Sequence, residues 1–589
     1  MPGIAGITWS PKGPEPSGAL AAMLRALSHR KDDDVISQRR DGELGAAIGS
    51  AGCAAQASCA VLDGEIYEAD GAGGLGAWLP SNLSSVRGTF AGACLDRACG
   101  TLRLVSDRLG LKPLYYAKIP GGLAFASEVK AVLAAPGVAS RTDERALADL
   151  FHFGALLGSK TLCSGVELLP PGSVLTCNLR NGSLEVEPYW RAASLFTPRG
   201  APRPDVGDEE VAGLFARAVS RRLEPRESLG ISLPGGLDSR SVVAALGEAA
   251  RGVASHTVGL PECRDRSVAE GIARVAGTRH TFLALAEPCP ESFEAVLGRL
   301  VRMTEGLYSG LQGTAARVVD YFATNPFRAV LRGHGGEAVK AELAYPLKID
   351  ARMRCLSSPE AIARSIYRQG NVVRGDLPPE ELFAPSRLAA IREGPLTSVR
   401  EALEAVDADL TPEDLALCFY LREWVRRRVV ASLALFRPYV EVRMPFLDED
   451  FLDLVLKLPL EKRSRGEIQT LLVRRFMPAL LTISNSNTGA SLNAGRLGRF
   501  LASGLGAARR RLRLPGHRHY VELERWHRGP LRAPLERVLF DERTLSRGLY
   551  RPEGLRKVFD DHMTGRRCRT NLLCAIVELE LFHRSFMDP

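Results

Sequence analysis

One stretch near the middle of the chain constrains the fold more than any other: Ser228-Leu-Gly-Ile-Ser-Leu-Pro-Gly-Gly-Leu-Asp-Ser-Arg-Ser-Val-Val-Ala-Ala-Leu246. Its apolar opening has the length of a strand, Gly235-Gly236 interrupts it, and Val242, Val243, Ala245 and Leu246 give the continuation an apolar helical face. A strand, a glycine turn and a helix are the parts of a phosphate site. Glycines let the backbone approach phosphate oxygens, and the helix aims unpaired N–H groups and its positive end at the anion. Two common nucleotide loops are excluded: no Lys-Ser or Lys-Thr follows the glycines, and no third glycine completes a dinucleotide fingerprint.

After this loop, strand and helix signals alternate. Residues 255–260 read as a strand, 265–276 as a helix, 279–284 as a strand and 291–304 as a helix. Phe327-Arg-Ala-Val-Leu-Arg-Gly-His-Gly-Gly-Glu-Ala338 then passes again from strand to glycine turn. This is the pattern of a doubly wound parallel α/β sheet. Residues 346–410 read as mixed helix and loop without a motif.

The chain has 589 residues, room for two domains, and its 45% hydrophobic and 25% charged content is that of an ordinary soluble protein. Its apolar runs stop well short of the ~20 residues that cross a bilayer, and no basic segment leads an apolar one at the start, so a cytoplasmic protein without a membrane span is expected. The twelve cysteines are scattered without a Cys-x-x-Cys pair, which suits buried thiols rather than zinc or a disulfide framework. The formal charge is +9, with basic runs at 509–513 and Arg566-Arg567. These read as solvated faces or, more sharply, as a surface for an acidic or extended peptide. No aromatic-interleaved basic motif points to nucleic acid.

Gly235-Gly-Leu-Asp-Ser239 resembles the pyrophosphate loop of the ATP pyrophosphatase superfamily, usually Ser-Gly-Gly-Leu-Asp-Ser, with Pro234 in place of the first serine. Met1-Pro-Gly-Ile-Ala-Gly-Ile7 resembles the start of class II glutamine amidotransferases. Asp63-Gly-Glu-Ile-Tyr67, Val86-Arg-Gly-Thr-Phe-Ala91, Ser106-Asp-Arg-Leu-Gly-Leu-Lys-Pro-Leu-Tyr-Tyr116 and Phe125-Ala-Ser-Glu-Val-Lys-Ala131 follow in the order seen in asparagine synthetases. Val440-Glu-Val-Arg-Met-Pro-Phe-Leu-Asp448 continues the likeness, and residues 549–559 and 572–586 resemble the closing helices of the lasso peptide cyclase branch.

The resemblance implies an N-terminal Ntn-hydrolase-like αββα sandwich over 1–190 and a linker over 191–207. It also implies a doubly wound ATP pyrophosphatase (adenine nucleotide alpha hydrolase-like) domain with added helices over 208–589. In the family, an N-terminal cysteine attacks glutamine. Here position 2 is Pro, and the first cysteine is Cys53. The family's oxyanion-hole Asn is replaced by Asp63, and the Arg that holds glutamine has no clear counterpart in Gly45-Ala-Ala-Ile-Gly49. These three losses argue against glutamine hydrolysis and leave a domain kept for stability and docking.

For the second domain, the resemblance implies an ATP site built from Ser232, Leu233, Gly235, Gly236, Leu237, Asp238 and Ser239, with Gly333 of the second glycine turn. Backbone atoms of Leu233, Val258 and Gly259 would hold adenine, and Asp238 and Glu337 would share a Mg²⁺. His334 stands where asparagine synthetases carry an acidic residue, and an imidazole of ordinary pKa about 6.5 accepts a proton at neutral pH, as the base for an amine nucleophile should. Glu423 is a candidate partner to His334, against a helix ion pair with Arg426 and Arg427. The family's catalytic Lys falls near Thr470, with Arg474 as a candidate charge in its place.

The expected activity is therefore ATP- and Mg²⁺-dependent amide-bond formation, most like the closing of a lasso peptide macrolactam. The partner is a precursor core peptide, with a leader-peptide-binding protein and a leader protease as helpers. A β-lactam-synthetase-like cyclase, an ammonia-dependent asparagine synthetase and a non-catalytic ATP- or peptide-binding protein are the alternatives.

Overall fold

The computed structural model describes residues 3–29, 36–51, 55–56, 60–68, 83–308, 312–486, 489–494, 505 and 520–588. Pro2, Cys53 and the basic run 509–513 lie outside the described residues.

The first half is a sandwich of two six-stranded sheets. Its strands are β1 (Gly3–Thr8), β2 (Ile36–Asp41), β3 (Ala46–Ala51), β4 (Ala55–Gln56), β5 (Ala60–Glu68), β6 (Arg87–Asp96), β7 (Thr101–Ser106), β8 (Tyr115–Ile119), β9 (Gly122–Ala126), β10 (Val166–Leu168), β11 (Ser173–Asn178) and β12 (Leu184–Pro188). The sheet orders are β10-β8-β9-β1-β3-β2 and β12-β11-β7-β6-β5-β4. Alternation along β1 explains its unbroken apolar run. Ile4 enters the layer between the sheets with Leu104, Phe125 and Leu175, whereas Ala5 and Ile7 face the helix α1 (Ala19–Ala26) through Leu20 and Met23. Asp107 organises the turn after β7, accepting from the N–H groups of Leu109 at 3.1 Å and of Leu111 and Lys112 at 3.0 Å.

Residues 191–207, expected as a linker, are pinned: Leu195 and Phe196 are buried, and Arg203 pairs with the buried Asp414. The second half is built on five parallel strands, β13 (Leu229–Ser232), β14 (Ala254–Gly259), β15 (Arg279–Ala284), β16 (Ala329–Leu331) and β17 (Glu441–Arg443), in the order β15-β14-β13-β16-β17. The connecting helices are α2 (Leu237–Leu246), α3 (Arg264–Ala276), α4 (Phe293–Thr304) and α5 (Gln312–Thr324). The chain steps outward from β13 to β15 and then returns to β16 on the other side of β13. Right-handed crossovers therefore place α2 and α3 on one face and α4 and α5 on the other.

Residues 419–428 are helical, an α-helix to Phe419 continuing as a π-helical stretch over Tyr420–Val429. Five of the ten described cysteines are buried, rather than most of them. No helix among the described residues is long and apolar enough to cross a membrane.

Candidate active site

β13 and β16 are neighbours whose connections leave in opposite directions, and open α/β sheets bind ligands in the crevice at such a reversal. Both glycine turns open there. After β13, Gly235 adopts φ +81°, a conformation that favours glycine, and Gly236 starts α2 with no side chain capping the helix. Gly236 has an ordinary φ of −72°, and a Cβ placed on it would meet nothing within 4 Å. Neither conformation nor packing among the described residues requires glycine at 236. The bare backbone at an uncapped helix start is the kind of place where an anion could approach. Pro234 is solvent-exposed rather than folded into the turn.

Gly333 closes the crevice from the β16 side. A Cβ there would lie 2.6 Å from Ser239 N and 2.7 Å from the Asp238 carbonyl carbon, so only glycine allows this approach. Arg240, fully buried, anchors the other side by donating to the carbonyls of Leu480 at 3.1 Å, Ile483 at 2.9 Å and Ser484 at 2.8 Å.

The structure brings Asp238 and Glu337 together. Burial raises the Glu337 pKa, and the nearby Asp238 charge raises it further. Lys340, which the sequence reading missed, sits with them: its Nζ donates to Asp238 Oδ2 at 2.6 Å. Burial alone would lower the pKa of this ammonium, but Asp238 and Glu337 hold it above its ordinary value. Gln469 donates to Asp238 Oδ1 at 3.0 Å and to the Gly336 carbonyl at 2.9 Å. Two carboxylates are a suitable donor set for Mg²⁺, which prefers oxygen, and Lys340 offsets one of their charges in this arrangement. The available signal was a lone Lys within Ala338-Val-Lys-Ala341, three residues beyond Glu337.

Other expected site residues fall differently. His334 is half-buried at the crevice, and burial, with the Arg332 charge adding to it, pushes its pKa down to about 3. It is neutral at pH 7, as expected, yet a weaker base than an imidazole of ordinary pKa. Glu423 is corrected: its Oε2 accepts from Gly158 N–H at 2.7 Å in the first half, and no hydrogen bond joins it to His334 among the described residues. Arg426 and Arg427 do not pair with it along the helix either. They donate to the Leu169 carbonyl, and to those of Leu156 and Lys160. Thr470 turns back to the Gly466 carbonyl, and Arg474 is exposed, so the ammonium in this site comes from Lys340. At the expected adenine edge, Leu233 N–H is already given to His256 and the Gly259 carbonyl already accepts from Leu285, which leaves Val258 the freer of the three.

The first half shows why glutamine chemistry is not expected. Asp63 accepts from Ser127 Oγ at 2.8 Å and is paired with Arg437, which reaches it from the second half. Lys112 Nζ lies 3.8 Å from Asp63 and 2.7 Å from Glu441. The position where the resemblance implies an oxyanion-hole Asn is part of an ionic junction.

The asparagine synthase family matches residues 210–482, and the glutamine amidotransferase domain family matches residues 75–190. The glutamine-hydrolyzing asparagine synthetase 3 of Bacillus subtilis is 32% identical over 171 residues, 28% of this chain and 26% of that protein. An asparagine synthetase homologue of Mycobacterium tuberculosis is 24% identical over 443 residues, 67% of this chain and 66% of that protein. The chain thus spans about a quarter of the first relative and just under two thirds of the second. A Bacillus subtilis glutamine phosphoribosylpyrophosphate amidotransferase structure aligns over 49% of this chain and 83% of its own at 13% identity, with a TM-score of 0.20, too low to bear on the fold.

Proposed function

Because the chain belongs to the asparagine synthetase superfamily, we propose that it is a cytoplasmic ATP- and Mg²⁺-dependent carbon–nitrogen ligase that closes a peptide macrolactam. A side-chain carboxylate of the peptide attacks the α-phosphate of ATP, forming an acyl-adenylate and releasing pyrophosphate. The peptide's own N-terminal amine then attacks the acyl carbon, AMP leaves, and the amine proton passes to a base, the role we assign to His334. Gly235, Gly236 and the start of α2 receive the phosphates. Asp238 and Glu337 would hold Mg²⁺, whose charge offsets that of the phosphates when bound.

The observation that carries the tethered-amine reading is the Asp63–Arg437 pair. With an ionic junction at the expected glutaminase position, an amine that arrives with the substrate supplies the nucleophile without glutamine. A well-oriented intramolecular amine gains an effective molarity of roughly 10⁵ M or more, so no ammonia supply is needed.

The test is incubation of the protein with a core peptide containing Asp or Glu, ATP and Mg²⁺, together with its leader-binding protein and leader protease. The expected result is pyrophosphate release and a product lighter by one water. Unchanged linear peptide in the presence of active partner proteins would overturn it.

A further inference from the structure

Arg332 follows β16 directly, one residue before the Gly333 turn, but it is spent on nothing described above. Its Nε and Nη1 are out of solvent contact and have no hydrogen-bond partner, and the side chain forms no ion pair among the described residues. The guanidinium lies over the Phe436 ring, 4.6 Å from its centroid. Phe436 in turn packs at 5.5 Å against Phe322 of α5, which puts Arg332 on the α4–α5 face of the sheet, away from the helix that starts the phosphate loop. The titratable group that acts on it is the Tyr308 phenol, which burial pushes well up, so it stays neutral at pH 7. Burial moves Arg332 itself down only to about 10, and it remains a cation.

An unpaired buried cation costs several kcal/mol unless an anion joins it. Other arginines at the heart of the fold each have acceptors: Arg240 three carbonyls, although its Nε is also unpartnered, Arg428 the carbonyls of Phe153 and Gly154, and Arg443 the carboxylates of Glu65 and Glu227. Arg332 differs in having two unpartnered nitrogens and no side-chain acceptor or carboxylate among the described residues, and it lies two residues before His334.

We propose that Arg332 is the anion subsite for the acyl donor, binding a second carboxylate of the substrate beyond the one that is activated. A planar guanidinium takes a carboxylate through two parallel hydrogen bonds, which fixes orientation as well as charge. On the macrolactam reading, from which the identity of the donor follows, the peptide presents an acidic neighbour or its own C-terminal carboxylate at this point. Binding at the subsite does not depend on turnover, so it is tested separately from ligase activity.

The experiment follows thermal unfolding of the full chain and its Arg332→Met and Arg332→Lys variants with glutarate, monomethyl glutarate or pyrophosphate as probes. Glutarate should stabilise the wild type, monomethyl glutarate less, and Arg332→Met should weaken the glutarate response by about 30-fold or more, with Arg332→Lys in between. Without probe, Arg332→Met should melt at or above the wild type, because a half-buried charge with two unpartnered nitrogens has been removed. A lower probe-free melting temperature would mark a structural arginine and overturn the proposal. So would an equal glutarate response in wild type and Arg332→Met, no glutarate response at all, or an Arg332-dependent response to pyrophosphate alone, which would assign the side chain to the nucleotide.

Discussion

Lys340 Nζ lies 2.6 Å from Asp238 Oδ2, bringing an ammonium from a turn 102 residues further along the chain into the carboxylate pair of the crevice. Replacing it with Met should leave Asp238 and Glu337 facing one another without a cation. A hydrogen bond to a charged group contributes about 1.5–3 kcal/mol, so Lys340→Met should melt earlier at pH 7. The bare pair should at the same time take Mn²⁺ at least about tenfold more tightly without nucleotide, since a competing charge has gone. Calorimetric titration with Mn²⁺ checks this.

The two glycines of the crevice should separate folding from binding. Gly333→Ala forces a Cβ into the backbone of Asp238 and Ser239, so it should lower both stability and affinity for a non-hydrolysable ATP analogue. Gly236→Ala meets no protein atom, and it should fold with near wild-type stability yet lose nucleotide affinity by tenfold or more, about 1.4 kcal/mol or above. Equal nucleotide binding by Gly236→Ala and wild type would remove the phosphate assignment.

Restoring the missing nucleophile should not restore the chemistry. Pro2→Cys is expected to release no glutamate from glutamine above background, because Asp63 remains paired with Arg437 where a developing oxyanion would need donors. Arg437→Met strands the buried Asp63 and should cost about 3–5 kcal/mol in denaturant unfolding. Adding Asp63→Asn should recover part of that loss.

Stability should fall as pH rises from about 4.5 to 7, in part through Glu305. Burial raises its carboxyl to about 7, although Oε1 accepts from Lys130 N–H at 2.7 Å. The folded state therefore holds the proton more tightly than the unfolded chain, whose value is near 4.5. The contribution is complete below the unfolded pKa and is lost as pH passes through the folded one, by about 3 kcal/mol in all. Unfolding of Glu305→Gln between pH 4 and 8 should show a correspondingly shallower decline.

Much of the site was legible because it is local. The strand at 279–284 appears with those bounds, and the two glycine turns lie at neighbouring strand ends. Gly235 and Gly333 could be read because a turn and a close approach leave a residue-type signature within a few positions. Glu423 could not be read in the same way. Its helix suggests a partner three or four residues on, but the actual partner is Gly158, 265 residues away.

The sequence by itself determined the alternation of strands and helices, the phosphate turn and the absence of a cysteine at position 2, since each is written in adjacent residues. Only the tertiary structure decided which charges meet: Lys340 with Asp238, Arg437 with Asp63 across 374 residues, and Arg332 with no carboxylate among the described residues. The reason is electrostatic. A buried charge is stabilised or left costly by whatever folding brings within a few ångströms, and chain position carries almost no record of that neighbour.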